Sequence, residues 1–169
     1  MSIVSRSLYR TRQVLWALRP KLAGHELAEA ESFLGGNLFT AFRAMDDGDK
    51  RHCIDVFNAA RSAGCEDRAV LTAALIHDCG KAPSREDGRI RLYHRIAYVA
   101  LTTVSLGLAA RMARRPGGIR LLRQHSERGI EIASAHGAPA DVLELMRRME
   151  DKGDGDARVR LLQAADDAA

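Results

Sequence analysis

Only four prolines occur in the 169-residue chain, and no stretch alternates apolar and polar residues strictly, so a strand-rich sandwich or barrel finds no support. The three cysteines, Cys53, Cys65 and Cys79, are widely spaced among apolar residues. With no Cys-x-x-Cys pair and no secretion signal, a disulfide framework has no basis, and a reduced, cytoplasmic protein is expected. Charges interrupt every apolar run near the start, unlike a signal peptide, although the Ser/Arg-rich beginning weakly resembles an organelle transit peptide. Residues 96–110 are uncharged for fifteen positions, short of the roughly 20 needed to span a bilayer. A buried helix is expected there, with flanking arginines that also suit a peripheral membrane contact. Acidic residues are missing from positions 1–21, which hold Arg6, Arg10, Arg12, Arg19 and Lys21. The formal charge of +4 therefore splits into a basic arm and a remainder of 21 basic against 22 acidic residues. The isoelectric point of 9.2 reports that arm, and without a reader motif no DNA partner is expected.

What is present is a globular composition, 46% apolar and 28% charged, with a length that suits one compact domain. Leu, Ala, Arg and Glu dominate, which favours helix. Val4, Leu8, Leu15 and Leu18 predict an amphipathic helix over about 3–18, ended by Pro20, that covers the core or touches a membrane. Short helices over about 25–34 and 37–45 are separated by Gly35-Gly36. Asp46 and Asp47 can cap a helix over about 47–63, in which Cys53, Val56, Phe57 and Ala60 recur at i, i+3, i+4 and i+7, and Gly64 is a natural stop. From Asp67 a nearly continuous apolar run, residues 69–76, predicts a helix buried on several sides. A polar loop over about 82–89 precedes a long helix over about 90–114, broken by Pro116-Gly117-Gly118, and further helices are predicted over about 119–135, 140–149 and 157–167. The fold expected is an all-α bundle of eight or nine helices. It divides into a basic amphipathic helix (1–21), short helices packing on the core (22–45) and a main helical domain (46–169).

The chemistry concentrates where the apolar run meets His77-Asp78. An imidazole and a carboxylate ending a buried helix are costly unless something pairs them, and a metal ion does so. Adjacent helical positions point about 100° apart, yet both can reach an ion beside the helix. His52, near the face defined by Val56, and Asp166, following the apolar stretch of the last helix, can complete a bundle-core site. Mixed N/O ligation admits Mn, Fe, Co, Ni, Zn or Mg.

The strings Arg51-His52, then Leu75-Ile76-His77-Asp78-Cys79-Gly80-Lys81, then Leu162-Gln163-Ala164-Ala165-Asp166 resemble the HD superfamily of metal-dependent phosphohydrolases over residues 46–167. The resemblance implies an all-helical fold, one or two divalent metals, and His52, His77, Asp78 and Asp166 as ligands of the first, with Asp78 also part of the catalytic centre. Gln124-His125-Ser-Glu-Arg-Gly129 also resembles the branch with a second metal, but Met149 stands where that branch has a later His. A thioether is a poor ligand for a hard ion, so a second metal requires Glu150 or another carboxylate. Neither the Gly-Tyr-Pro motif of cyclic-dinucleotide hydrolases nor the acidic pair of alarmone hydrolases is present.

The expected activity is hydrolysis of a small anionic phosphate ester, a nucleotide among the candidates, by metal-activated water. Lys81, one turn from Asp78, can meet a phosphate oxygen as a catalytic cation or interact with its own helix terminus. Residues 88–126 hold eight arginines and no acid, a polarity that suits an anionic substrate and equally a solvated face. His125 is a candidate for the pocket or a second metal and His94 for the pocket mouth, whereas His25 and His136 are expected at the surface and Cys79 in the core. Met149 also motivates an alternative, a nucleotide-binding or regulatory domain without turnover. A third reading is a membrane-peripheral protein using the basic N-terminal helix. No pattern in the chain specifies an oligomeric state.

Overall fold

Helix α4 (Arg68–Ile76) is the axis of the molecule, because its eight residues from Ala69 to Ile76 are all buried. Asp67 starts it by accepting hydrogen bonds from the amides of Ala69 (2.8 Å) and Val70 (3.2 Å), two donors a helix N-terminus otherwise leaves open. The computed structural model describes residues 22–151, 153 and 155–169, so the predicted helix over 3–18 lies outside the described residues. Around α4 stand α1 (Gly24–Leu34), α2 (Gly36–Arg43), α3 (Asp47–Ser62), α8 (Ala140–Arg148) and α9 (Ala157–Ala168). A second group comprises α5 (Leu92–Val104), α6 (Leu106–Met112) and α7 (Gly118–Ala135). Nine α-helices and no strand occur among the described residues, an all-α bundle.

Residues 22–45 share the same core as the helices after them. Phe42 is fully buried, Phe33 meets Phe57 edge to face at 5.1 Å, and Arg51 bonds Glu26 at 2.7 Å. The interior face of α3 is the one its spacing predicts, with Cys53, Val56, Phe57 and Ala60 all buried.

The chain after α4 tightens into a 3₁₀ turn, Cys79–Lys81, that lies directly on α7. Only glycine fits at position 80, since a Cβ there would stand 1.8 Å from the His125 carbonyl oxygen. Arg128 donates to the carbonyls of Gly80 and Ala82, and the Cys79 thiol donates to the Gly129 carbonyl at 3.3 Å. These contacts fix the direction in which His77, Asp78 and Lys81 leave the helix.

Two expectations for the middle of the chain need correction. The long helix over 90–114 is two helices, broken at Ser105, whose backbone is extended (φ −161°, ψ 117°). The Ser105 hydroxyl accepts from the Leu108 amide at 3.2 Å and so starts α6. Physically, Thr102, Thr103 and Val104 are β-branched, which weakens the helix, while serine offers a cap at the break. Nor is this segment buried as a whole: α5 has no buried residue, and in α6 only Ala109 is buried. The fifteen uncharged positions measure apolarity, and the described helices leave much of that surface uncovered.

Candidate metal centre

Three helices bring four side chains to one end of the core. His52 comes from the interior side of α3, His77 and Asp78 from the end of α4, and Asp166 from α9. His52 Nε2 lies 2.8 Å from Asp166 Oδ1, and His77 Nε2 lies 3.6 Å from the same oxygen and 3.7 Å from Asp78 Oδ1. The two imidazole rings meet nearly edge to face, with centroids 5.3 Å apart. Ligand atoms around one ion at ~2.1 Å stand about 3.0–3.4 Å apart, so these separations match a metal centre to within a small adjustment.

The tautomer of His77 follows from its partner. Its Nδ1 is 3.0 Å from the Ala74 carbonyl oxygen, which can only accept, so Nδ1 carries a proton and Nε2 is the nitrogen turned to the centre. His125 is arranged the same way, with Nδ1 2.9 Å from the Leu122 carbonyl and Nε2 3.9 Å from Asp78 Oδ1. Burial and the Lys81 charge push the His125 imidazole below its ordinary value, against the opposing pull of Asp78 and Glu150.

Asp78 is 2% exposed. Burial by itself would raise its carboxyl, but Lys81 and the imidazoles of His77, His52 and His125 outweigh burial and hold it well below the usual carboxylate range. Asp166 is also lowered, burial being outweighed by its hydrogen bond from His52 and by the charge of His77. Lys81 Nζ donates to Asp78 Oδ2 at 2.6 Å, leaving Oδ1 toward the two histidines. His52, His77 and Asp166 accordingly form one donor set, whose ligand atoms all lie within 4.8 Å of one another, while Asp78 stands beside it, drawn to Lys81.

A second grouping, Cys53 with His77 and Asp78, satisfies the same distance test. Its chemistry is poor for a cation. Burial, followed by the charges of Asp78 and Asp49, raises the Cys53 thiol well above its ordinary value, which disfavours the thiolate a metal would need. The donor chemistry of His52, His77, Asp78 and Asp166, two imidazoles and two carboxylates, fits a divalent ion of the first transition row, whose binding would displace the proton that His52 Nε2 shares with Asp166.

The centre forms one end of a cavity of about 540 Å³. Lys81 and Arg95 place cations on its wall, and His125 faces it. Tyr98, Val99, Leu122 and Met146 supply an apolar side. Met149 lines the cavity too, and Glu150 Oε1 lies 3.9 Å from His125 Nε2 while accepting from Ser126 Oγ at 2.8 Å. Among the described residues, no three-donor group contains His125.

His94 does not line this cavity. Its Nδ1 accepts from the Arg91 amide at 3.1 Å at the start of α5, and its ring lies where a Cβ on Gly118 would be, 2.2 Å from Nδ1. His25 is exposed, as expected, and His136 is half-buried with Nδ1 2.8 Å from the Ile132 carbonyl. Cys79 is buried, and burial together with the Asp78 charge pushes its thiol up to about 12.

Two supporting groups escape sequence reasoning. Asp49, 2% exposed, pairs with Arg95 at 2.6 Å and so anchors α5 to α3 beside the cavity. Its only sequence signal is an acid one turn before His52. Gln163 donates to the carbonyls of Met149 and Asp151, both at 2.9 Å, tying the loop after α8 to α9. Nothing in a lone glutamine announces that role.

Comparison with curated proteins and with solved structures returns no match. The family model of the HD domain, in contrast, matches residues 50–169, which takes in His52, the His77-Asp78 pair and Asp166. Since that match spans well over half of the chain and its motif residues are the ones that three helices bring together, the chain belongs to the HD domain family, a superfamily of metal-dependent phosphohydrolases.

Proposed function

We propose that the protein hydrolyses a small phosphate ester at the His52/His77/Asp78/Asp166 centre. The observation that carries this reading is the convergence of N and O donors from three helices on one end of a cavity whose wall also holds Lys81 and Arg95. A cavity of about 540 Å³ falls in the usual range for small-molecule sites. Its cationic end suits a phosphate, and its apolar side, Tyr98, Val99 and Leu122, suits an organic moiety such as a nucleoside.

When bound, a divalent ion supplies Lewis acidity that polarises a phosphoryl oxygen and lowers the pKa of a coordinated water. His52, His77, Asp78 and Asp166 would hold it, the two imidazoles through Nε2. Lys81, held by Asp78, keeps that carboxylate ionised and presents positive charge to the phosphate. Arg95, fixed by Asp49, adds a second cation that does not move as charge develops. His125 turns its unprotonated Nε2 into the cavity, where it can take a proton from the attacking water. The ester bond to phosphorus breaks, and the alcohol leaves with a proton from solvent.

The test is hydrolysis of a generic phosphodiester, a phosphomonoester and a nucleotide panel with Mn, Co, Ni, Zn or Mg, for wild type, His77→Ala and Asp78→Ala. Loss of a supporting partner of a metal ligand costs about 10–100-fold, so loss of a ligand is expected to cost more than ~100-fold. Equal rates in wild type and both variants contradict the proposal.

Met149 on the cavity wall favours one alternative, a domain that binds a nucleotide without turning it over. Tight nucleotide binding, abolished in Lys81→Met, with no turnover in any metal, would select it.

A further inference from the structure

Among the described residues, every large hydrophobic side chain that stands exposed lies on α5 or α6. Tyr93 is 60% exposed, Ile96 53%, Val104 80% and Leu106 75%, and Leu108 and Met112 extend the patch. Tyr93, Ile96, Ala100 and Val104 follow i, i+3, i+7 and i+11, so they form one stripe along α5. The opposite side of the same helix, through Tyr98, Val99 and Thr102, lines the cavity. A contiguous apolar stripe of this kind on a protein surface marks an interaction site.

Charge decides between partners. Of the eight arginines in residues 88–126, Arg89 pairs with Asp46, Arg95 with Asp49, and Arg120 with Asp87 and Glu86. The other five, Arg91, Arg111, Arg114, Arg115 and Arg123, are exposed, and none pairs with a carboxylate among the described residues. Arg91 directly precedes α5, and Arg111, Arg114 and Arg115 stand at the end of α6, so exposed guanidinium groups flank the apolar segment at both ends. Two copies of such a face would oppose like charges across their contact. A single-stranded nucleic acid needs aromatic platforms, and the stripe is aliphatic apart from Tyr93. An anionic lipid surface satisfies both halves, with aliphatic side chains at the acyl boundary and arginines among the headgroups.

We propose that α5 and α6 form a docking face for an anionic bilayer, lying in its surface plane. No described helix is long and apolar enough to cross a membrane, and α5 and α6, at 13 and 7 residues with a break at Ser105, suit an in-plane contact. Docking at this face does not depend on the hydrolytic reading.

The experiment is co-sedimentation of the full chain with phosphatidylcholine vesicles, with and without one-third phosphatidylserine, at low and high salt. Wild type is expected to partition onto the anionic vesicles and to lose at least ~10-fold in partition coefficient as salt is raised from about 50 to about 500 mM. Val104→Asn/Leu106→Asn and Arg111→Gln/Arg114→Gln/Arg115→Gln are each expected to lose at least ~10-fold at low salt. Folding is checked by circular dichroism, and Tyr93→Ser carries the same comparison if a multiple variant is unfolded. Arg6→Gln/Arg10→Gln/Arg12→Gln separates the N-terminal stretch and is expected to keep the response to Val104→Asn/Leu106→Asn. Wild-type partition in the α5 and α6 variants overturns the proposal. So does an effect of those variants on self-association in sedimentation velocity, or on binding of a single-stranded oligoribonucleotide, with no effect on vesicles.

Discussion

Helices α4 and α5 are both rich in uncharged residues, yet every position of α4 from Ala69 to Ile76 is buried and no position of α5 is. The difference lies in what surrounds them. Helices α3, α8 and α9 close around α4, and a large apolar cluster results. Among the described residues, the apolar cluster beside α5 is the small one of Ile90, Leu121 and Leu122 with Tyr98. Apolar sequence is thus a demand for cover that the fold meets at α4 and leaves open at α5. The polar groups divide accordingly. At the end of α4 they turn inward and pair with each other, whereas around α5 and α6 most of the arginines face solvent.

Removing the charge that ties α5 to α3 gives the largest effect on stability. Arg95→Met leaves the buried Asp49 carboxylate without its partner and is expected to destabilise by about 3–5 kcal/mol in urea unfolding, with most of the loss recovered in Asp49→Asn/Arg95→Met. Leu75→Ala, at a fully buried position of α4, is expected to cost about 2–5 kcal/mol by the same measurement. Leu106→Ala in the α6 surface is expected to stay within about 0.5 kcal/mol. A loss at Leu106 comparable to that at Leu75 would mean that α5 and α6 are covered, and would remove the contrast.

Smaller changes sharpen it. Asp67→Ala removes the cap that starts α4 and is expected to cost about 1 kcal/mol, read as a shift in the urea midpoint at unchanged slope. Hydrogen exchange offers a version without substitutions. Amides of α4 are expected to exchange only through global unfolding, and those of α5 and α6 through local opening at lower free energy. Cys53 and Cys79 are buried with raised thiol pKa values, so a thiol reagent at pH 8 is expected to modify them only after denaturation.

The fold was legible where periodicity and breakers agreed. The spacing of Cys53, Val56, Phe57 and Ala60 identifies the inner face of α3, and Gly64, with φ of 83°, marks the turn that ends that helix. The break at Ser105 was not legible, because β-branched residues and a serine only weaken a helix, and whether it breaks depends on what packs against it. Exposure of α5 was illegible for the same reason: local sequence reports apolarity and says little about which neighbours arrive. At the centre, the strings around His52, His77-Asp78 and Asp166 locate residues that the structure does bring together. The position of Asp78 between Lys81 and the histidines, the anchoring of Arg95 by Asp49 and the tether made by Gln163 depend on contacts between distant segments. His94 shows the converse, a histidine whose surroundings, the Arg91 amide and Gly118, are structural.

Equilibrium titration of a divalent ion into the chelator-treated full chain, followed by elemental analysis of the washed protein, tests the central claim most directly. The account predicts tight uptake by wild type and loss of that uptake in His52→Ala, His77→Ala and Asp166→Ala, with Cys53→Ser retaining it. Uptake that survives all three substitutions, or that disappears in Cys53→Ser alone, would contradict a metal centre built from His52, His77, Asp78 and Asp166.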